Sequence, residues 1–173
     1  MLKNSVKAIT FLELIIVIII VAILTMMALP SYHNFMAKRE YQATLKEIRY
    51  AIQRGKSYAR LHKTNTVICP SITGLSCQNN QWNAGLIVFQ DLNKNRQVNT
   101  TETIFSQTQL NLKYGTLTWR GTLGIPSVTF NAADGLPIGS NGSFYYCQAS
   151  TKDNFRLILS KMGHDRLEFP SSC

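Results

Sequence analysis

The sequence predicts an α+β protein in which one long N-terminal helix is followed by an antiparallel β-rich domain. A nearly continuous apolar run extends over residues 9–29, and helical spacing of apolar residues continues to about Thr64. Beyond it, short apolar segments alternate with clusters of turn residues, which is typical of β-hairpins. The expected boundaries are a leading segment at 1–8, helix halves at 9–29 and 30–64, and a β-rich domain at 65–173.

The apolar run is long enough to cross a bilayer, since a span needs about 20 residues. Lys3 and Lys7 are the only charged residues of the short leading segment. Basic residues on the short side of a span favour a cytoplasmic N-terminus, so we expect a single pass with the large domain outside the cytoplasm. Proline inside a helix removes one hydrogen bond, so Pro30 is expected to bend or break the helix.

Glu13 is the one carboxylate in the run. An ionised group is costly in lipid and usually marks function. The alternative interpretation is a simple signal anchor with an incidental glutamate.

The second half of the helix combines an apolar stripe with many basic residues. The apolar positions have i, i+3/i+4 spacing, which predicts one buried face; they are Tyr32, Phe35, Met36, Tyr41, Leu45, Ile48, Ile52 and Tyr58. The basic residues fit a solvated face or, alternatively, a face for nucleic acid or phospholipid; they are Lys38, Arg39, Lys46, Arg49, Arg54, Lys56, Arg60 and Lys63.

Composition limits the chemistry of the chain. Its net charge is +9, from 18 basic and 9 acidic residues, which fits an acidic partner or solubility alone. The four cysteines allow three pairings, and their even number favours an oxidising compartment. No cofactor or metal site is predicted, because no C-x-x-C occurs and the histidines are scattered. No catalytic set is recognisable, so we expect no enzyme.

The β-rich region contains one informative loop. A strand predicted at 82–89 and another at 102–105 form a hairpin with a long polar tip. Asp91, Asn93, Asn95 and Glu102 have the spacing of a calcium loop, but Arg96 occupies the position of its invariant glycine. A plain β-turn is therefore favoured over a calcium site. Further strands are predicted at 66–69, 116–119, 127–130, 142–147 and 155–160.

The start of the chain resembles type IV pilins and pseudopilins. Their precursors carry a short basic leader that a prepilin peptidase removes directly before the apolar helix. A glutamate stands at the fifth mature position and a proline at about the twenty-second. Cleavage between Ala8 and Ile9 would make Glu13 fifth and Pro30 twenty-second. The chain departs from the usual pattern at Ala8, where glycine is common, and at Ile9, where phenylalanine is common.

This resemblance implies a role for each matched residue. Ile9 would become the methylated N-terminus, and Glu13 would pair with the N-terminal amine of a neighbouring subunit. The second half of the helix would pack on a β-sheet. The implied partners are the prepilin peptidase, the inner membrane, and other minor and major pilins. The subunit would wait in the inner membrane, with its domain in the periplasm, and then enter a pilus or pseudopilus.

The hairpin is similar to the signature of the GspH/FimT/FimU family, through Trp82, Gly85, Phe89, Asp91 and Asn93, with Glu102 further on. The similarity implies either a FimU/FimT-like minor pilin that initiates or tips a type IV pilus, or a GspH-type pseudopilin of a type II secretion system. For the cysteines, we favour the pairs Cys69–Cys77 and Cys147–Cys173, the second of which would hold the tail as in minor pilins.

The tail at 160–166 leaves two interpretations open. Some FimT-type members bind DNA through a Ser-x-x-Gly-Arg-x-Arg sequence, and this chain keeps Gly163 and Arg166 but has His164 and Asp165 between them. Histidine is largely neutral near pH 7, which weakens phosphate binding. A structural hairpin is favoured over a weak DNA-binding edge formed by Lys152, Arg156, Lys161 and Arg166.

Overall fold

The computed structural model describes residues 11–148 and 153–173 of the chain. It contains one long α-helix, one short 3₁₀ turn at Thr122–Gly124 and eight β-strands. The bounds are α1 Phe11–His62, β1 Asn65–Pro70, β2 Gly85–Asp91, β3 Ile104–Gln109, β4 Gly115–Gly121, β5 Val128–Phe130, β6 Gly142–Gln148, β7 Phe155–Leu159 and β8 Asp165–Glu168. The predicted α+β class is confirmed.

The strands form two four-stranded antiparallel sheets. One sheet has the order β3-β2-β1-β5 and the other has the order β4-β6-β7-β8. In the first sheet, Val67 opposes Phe89 on β2 and Thr129 on β5, so β1 is paired along both edges. In the second sheet, β6 is paired with β4 on one side and β7 on the other.

The helix α1 is continuous through Pro30, which lies inside it. A proline removes one hydrogen bond but need not end a long helix whose remaining bonds are intact. The helix therefore does not break at Pro30, and the bend stays a prediction. The chain divides into two units at Met36 and Ala37, so α1 contributes its first part to one unit and its second part to the other.

The second unit, residues 37–173, contains the hydrophobic core. Its helical face supplies Ile48, Ala51, Ile52 and Ala59, which lie in one cluster with buried residues of both sheets. Apolar side chains at three- and four-residue spacing share one helix face, and this explains the stripe. The predicted stripe residues Tyr41, Leu45 and Tyr58 also pack against this cluster. Tyr32 and Phe35 belong to the first unit and are exposed, so the stripe begins later than predicted.

The strands β1 and β2 are buried on both faces. Ile68, Leu86 and Val88 lie in the large core cluster, whereas Val67, Cys69, Ile87 and Phe89 form a second, smaller cluster. This alternation is the period of two expected for a strand. Cys77 and Val98 of the loops after β1 and β2 pack against the small cluster, as does Ile104 of β3. The two loops therefore cover the outer face of this sheet.

The predicted strand at 82–89 begins three residues later than expected, at Gly85. Trp82 is buried instead in the connection before β2, with its ring edge-on to Phe144 at a centroid distance of 5.1 Å. A large aromatic residue there contributes more by filling the core between elements than by extending the strand.

Candidate functional site

The first candidate surface is the apolar part of α1 from Phe11 to Phe35. Every described side chain in this range is exposed, and the large apolar ones include Phe11 at 79% and Leu24 at 61%. In the part of the chain that the structure describes, α1 alone is long and apolar enough to cross a membrane. Contiguous exposed apolar surface of this extent marks an interaction with lipid or with other proteins.

Two of the predicted assembly residues lie on this surface. Glu13 is in the first turn of α1, and Pro30 is within the helix. At a rise of 1.5 Å per residue they lie about 25 Å apart along the axis, close to the thickness of a bilayer's hydrocarbon core. The predicted cleavage and methylation residues, Ala8 and Ile9, are outside the described residues.

A second feature, Glu40, anchors the helix to the second sheet. The backbone N–H groups of Lys113, Tyr114 and Gly115 donate hydrogen bonds to its carboxylate at 2.7, 3.0 and 3.0 Å. The hydroxyl of Tyr146 donates a fourth at 2.9 Å. A charged acceptor makes each of these bonds stronger than a neutral pair. Burial, and then the bond to Glu40, raises the pKa of the Tyr146 hydroxyl above its ordinary value.

Gly115 is required by this arrangement because its α-carbon lies against the ring of Tyr146. A β-carbon placed on Gly115 would come within 2.4 Å of that ring. The sequence analysis missed Glu40. The available signal was its charge, since Glu40 and Glu47 are the only acidic residues among eight basic ones between Lys38 and Lys63.

Four of the basic residues on the second half of α1 contact the β-rich region. Arg49 bonds Asp165 at 2.9 Å, and Arg54 donates to Ser106 Oγ at 2.7 Å. Lys56 and Arg60 donate to the carbonyls of Gly163 and Asp134 at 3.5 and 2.8 Å. The interpretation of this face as merely solvated is therefore incomplete, because these side chains hold loops and the tail to the helix.

The tail forms a hairpin, in which β8 pairs with β7 in antiparallel register. Glu168 lies 2.7 Å from Arg166 and 3.6 Å from Arg156, so two of the four candidate DNA-binding cations face one carboxylate. Lys161 is exposed, and Lys152 is outside the described residues. Such partly exposed pairs are weak, but they lower the positive potential that a phosphate would meet.

Arg156 also belongs to a ladder across the solvent face of the second sheet. The guanidinium groups of Arg120 and Arg156 lie 4.6 and 5.3 Å from the ring centroid of Tyr145. Arg156 donates to Ser143 Oγ at 3.3 Å. These contacts hold three strands of this sheet together through their side chains.

The structure contains two disulfides, Cys69–Cys77 and Cys147–Cys173, with Cα–Cα distances of 5.5 and 6.0 Å. The first closes a short loop after β1. The second joins the end of the chain to β6, which is a central strand of its sheet. A link of this kind stabilises mainly by restricting the unfolded chain.

The calcium-like loop between β2 and β3 is closed by its own side chains. Asp91 accepts the N–H groups of Asn95 and Arg96, and Glu102 accepts those of Leu92 and Asn99. Burial raises the pKa of the Asp91 carboxyl, the charge of Glu102 adds to this, and the backbone donors offset part of it. Within the described residues, no three His, Cys, Asp or Glu side chains form a group suited to a metal ion.

These features define a class of protein. A long N-terminal helix, apolar and exposed in its first part and packed on antiparallel sheets in its second, is the pilin fold. The family model described as type II transport protein GspH matches residues 45–163. The chain therefore belongs to the GspH family of minor pilins and pseudopilins, whose members are structural subunits and assemble with other pilins in filaments.

Two solved crystal forms of one minor pilin support the same fold. The type IV minor pilin FimU of Pseudomonas aeruginosa matches in one crystal form with a TM-score of 0.57 and 19% identity, over 79% of this chain and 93% of that chain. A second crystal form of FimU gives a TM-score of 0.53 at 19% identity, over 75% and 93%. The minor pseudopilin EpsH from the type 2 secretion system of Vibrio cholerae gives 0.43 at 14% identity, over 79% and 96%. No curated protein matches the sequence.

Proposed function

We propose that this chain is the precursor of a FimU/FimT-like minor pilin that takes part in type IV pilus assembly as an initiation or tip subunit. A prepilin peptidase would cut between Ala8 and Ile9, and the new N-terminal residue would be methylated. The subunit would stay in the inner membrane, with its N-terminus on the cytoplasmic side, until assembly draws it into the filament.

The observation that carries this proposal is the exposed apolar part of α1 with Glu13 in its first turn. The second unit closes its own core without these residues, so this surface remains available for lipid or for neighbouring helices. Membrane and filament core are both apolar environments, and the same helix can therefore serve in each.

Pairing of Glu13 in the filament would favour transfer of the helix from the membrane into the filament core. A buried carboxylate is stabilised only when it is paired and hydrogen-bonded. The N-terminal amine of a neighbouring subunit would supply this cation in the filament. The leader occupies that amine in the precursor, so cleavage would permit assembly.

The experiment compares Glu13→Ala with wild type in the native host. We expect normal cleavage before Ile9 by mass spectrometry, but at least a tenfold loss of the subunit from sheared filaments on immunoblots, since breaking a buried ion pair costs about 3–5 kcal/mol. Glu47→Ala, which removes a carboxylate further along α1, should assemble normally. Assembly of Glu13→Ala at the wild-type level would refute the proposal.

The second candidate is a GspH-type pseudopilin of a type II secretion system, which the family match over residues 45–163 favours. Deleting the gene separates the two: loss of surface pili supports the first, and loss of secreted proteins with intact pili supports the second. A third candidate, a minor pilin that binds DNA for natural transformation, depends on the basic edge of the tail and is tested below.

A further inference from the structure

A small cavity of about 190 Å³ lies where the loops after β1 and β2 approach the segment before β5. Its wall includes the Cys69–Cys77 disulfide, Asn79, Arg96, Gln97 and Ser127. The cavity is far from the exposed apolar part of α1 in sequence and shares no residue with it. It is smaller than the sites that hold drug-sized ligands, which begin at about 300 Å³.

The wall of this cavity is rich in hydrogen-bond donors. Among the lining residues, Arg96 carries a guanidinium, and Asn79 and Gln97 carry amides. No aspartate or glutamate is among the lining residues. The two acidic residues of the adjacent loop, Asp91 and Glu102, are already engaged by backbone N–H groups.

Arg96 is less exposed than the residues beside it. It is half-buried, whereas its neighbours from Leu92 to Asn95, together with Gln97, are exposed. Within residues 11–148 and 153–173, its guanidinium forms no salt bridge. A partly desolvated guanidinium without an anion is in an unfavourable environment that an acidic ligand would improve.

Ser127 lines the cavity but does not supply a donor to it. It is only 4% exposed, and its Oγ is buried with no hydrogen-bond partner among the described residues. Because a buried Oγ has almost no surface for a ligand to contact, the donors of the wall are the guanidinium and the amides.

The backbone at Arg96 is also unusual. Its φ is +61°, in the left-handed region where glycine is favoured, and this is the position at which a calcium loop has its glycine. The N–H of Arg96 is held there by Asp91 at 3.2 Å. Strained positions persist where the surrounding structure enforces them, and they cluster at functional sites.

We propose that this cavity binds a carboxylate group, with the Arg96 guanidinium as the principal donor and the neighbouring amides as its support. A carboxylate matches the fork of the guanidinium, and its size suits a cavity that admits a single small group. The net charge of +9 favours an anionic ligand in the same way. The carboxylate belongs either to an Asp or Glu side chain of another protein or to a free small acid.

The test uses full-length protein in detergent micelles with both disulfides intact. Sodium acetate and the peptide acetyl-Gly-Glu-Gly-amide are titrated while backbone amide shifts are followed by NMR, with sodium chloride and acetyl-Gly-Gln-Gly-amide as controls. We expect saturable shifts for residues 95–97 and 127 with the acidic probes only. Arg96→Gln should weaken the response about tenfold or more, since a hydrogen bond to a charged group contributes about 1.5–3 kcal/mol.

Lys94→Gln is the matched control. Lys94 is two residues from Arg96, carries the same charge, also has a positive φ of 64° and does not line the cavity, so its loss should leave binding unchanged. Saturable binding of the peptide alone identifies a protein side chain as the source, and equal binding of acetate identifies a free acid. Shifts that chloride reproduces, or an equal loss in Arg96→Gln and Lys94→Gln, would overturn the proposal.

Discussion

At the scale of single residues, Glu40 joins α1 to the second sheet through its carboxylate. One carboxylate satisfies three consecutive backbone N–H groups and the Tyr146 hydroxyl. The N–H groups belong to the segment that enters β4, so the bonds position the edge of the second sheet against α1. Each of these donors would need another partner if the carboxylate were removed.

We predict that Glu40→Ala lowers the free energy of unfolding by about 3 kcal/mol, because several partly buried donors lose their acceptor. Urea denaturation followed by circular dichroism measures this change. Glu47→Ala removes an acidic residue from the same helix and has no such contacts, so it should change stability by less than about 0.5 kcal/mol. Equal effects of the two substitutions would show that Glu40 contributes only through helix propensity or net charge.

Arg96, in contrast, lowers the stability of the fold, because its backbone lies in the left-handed region. A non-glycine residue in the left-handed region is less favourable by about 1–2 kcal/mol. We predict that Arg96→Gly raises the free energy of unfolding by about 1 kcal/mol while abolishing carboxylate binding. Gln97→Gly, at a position of ordinary φ, should instead lower it by about 0.5 kcal/mol. Thermal denaturation distinguishes these results, and a less stable Arg96→Gly would contradict the assignment of strain.

At the scale of elements, the β7–β8 hairpin is attached to the rest of the β-rich domain and to α1. Asp165 bonds Arg49 on α1, and Glu168 faces both Arg156 and Arg166. The Cys147–Cys173 disulfide attaches the chain end to β6. These contacts engage Arg156 and Arg166, two of the four cations of the candidate phosphate-binding edge, and they favour a structural role for the hairpin.

We predict that the full-length protein in detergent shows no saturable binding to a short DNA duplex at about 0.15 M salt, where non-specific attraction is screened. Glu168→Gln should tighten any residual binding, because it releases two arginines. Glu47→Gln changes the net charge equally on α1 and is the control. A salt-resistant complex with wild type, measured by fluorescence anisotropy, would restore the DNA-binding interpretation.

At the scale of the whole molecule, the chain has two units of different character. Residues 11–36 offer exposed apolar surface, whereas residues 37–173 contain the buried core and both disulfides. Among the helical residues whose burial is described, Ala37 is the first that is buried, and Glu40 follows it within one turn. The core therefore needs the helix from about this point onward.

A variant beginning at Ala37 is predicted to be soluble without detergent and to unfold cooperatively, because it keeps the full core and the Glu40 anchor. A variant beginning at Tyr41 lacks Glu40 and should be about 3 kcal/mol less stable. Sedimentation and urea denaturation measure both properties. Aggregation of the longer variant would show that the second unit depends on residues before Ala37.

Much of this fold could be predicted from local patterns. The apolar run, the helical stripe and the alternating strands are each recognised by the spacing of apolar residues along the chain, and this spacing can be read from the sequence. Glu13 and Pro30 can also be recognised from the sequence, because each differs in type from the apolar residues beside it. The match to the GspH family confirms the interpretation that these signals supported.

The sequence by itself determined the α+β class, the long N-terminal helix and the order of most strands along the chain. Only the tertiary structure decided which donors meet Glu40, how the strands divide into two sheets, and that Arg96 and Ser127 line one cavity. Such pairings join residues far apart in the chain, such as Glu40 and Gly115, and depend on how helix and sheets pack. The local spacing of residues does not show which distant residues come into contact, so these contacts could be identified only from the tertiary structure.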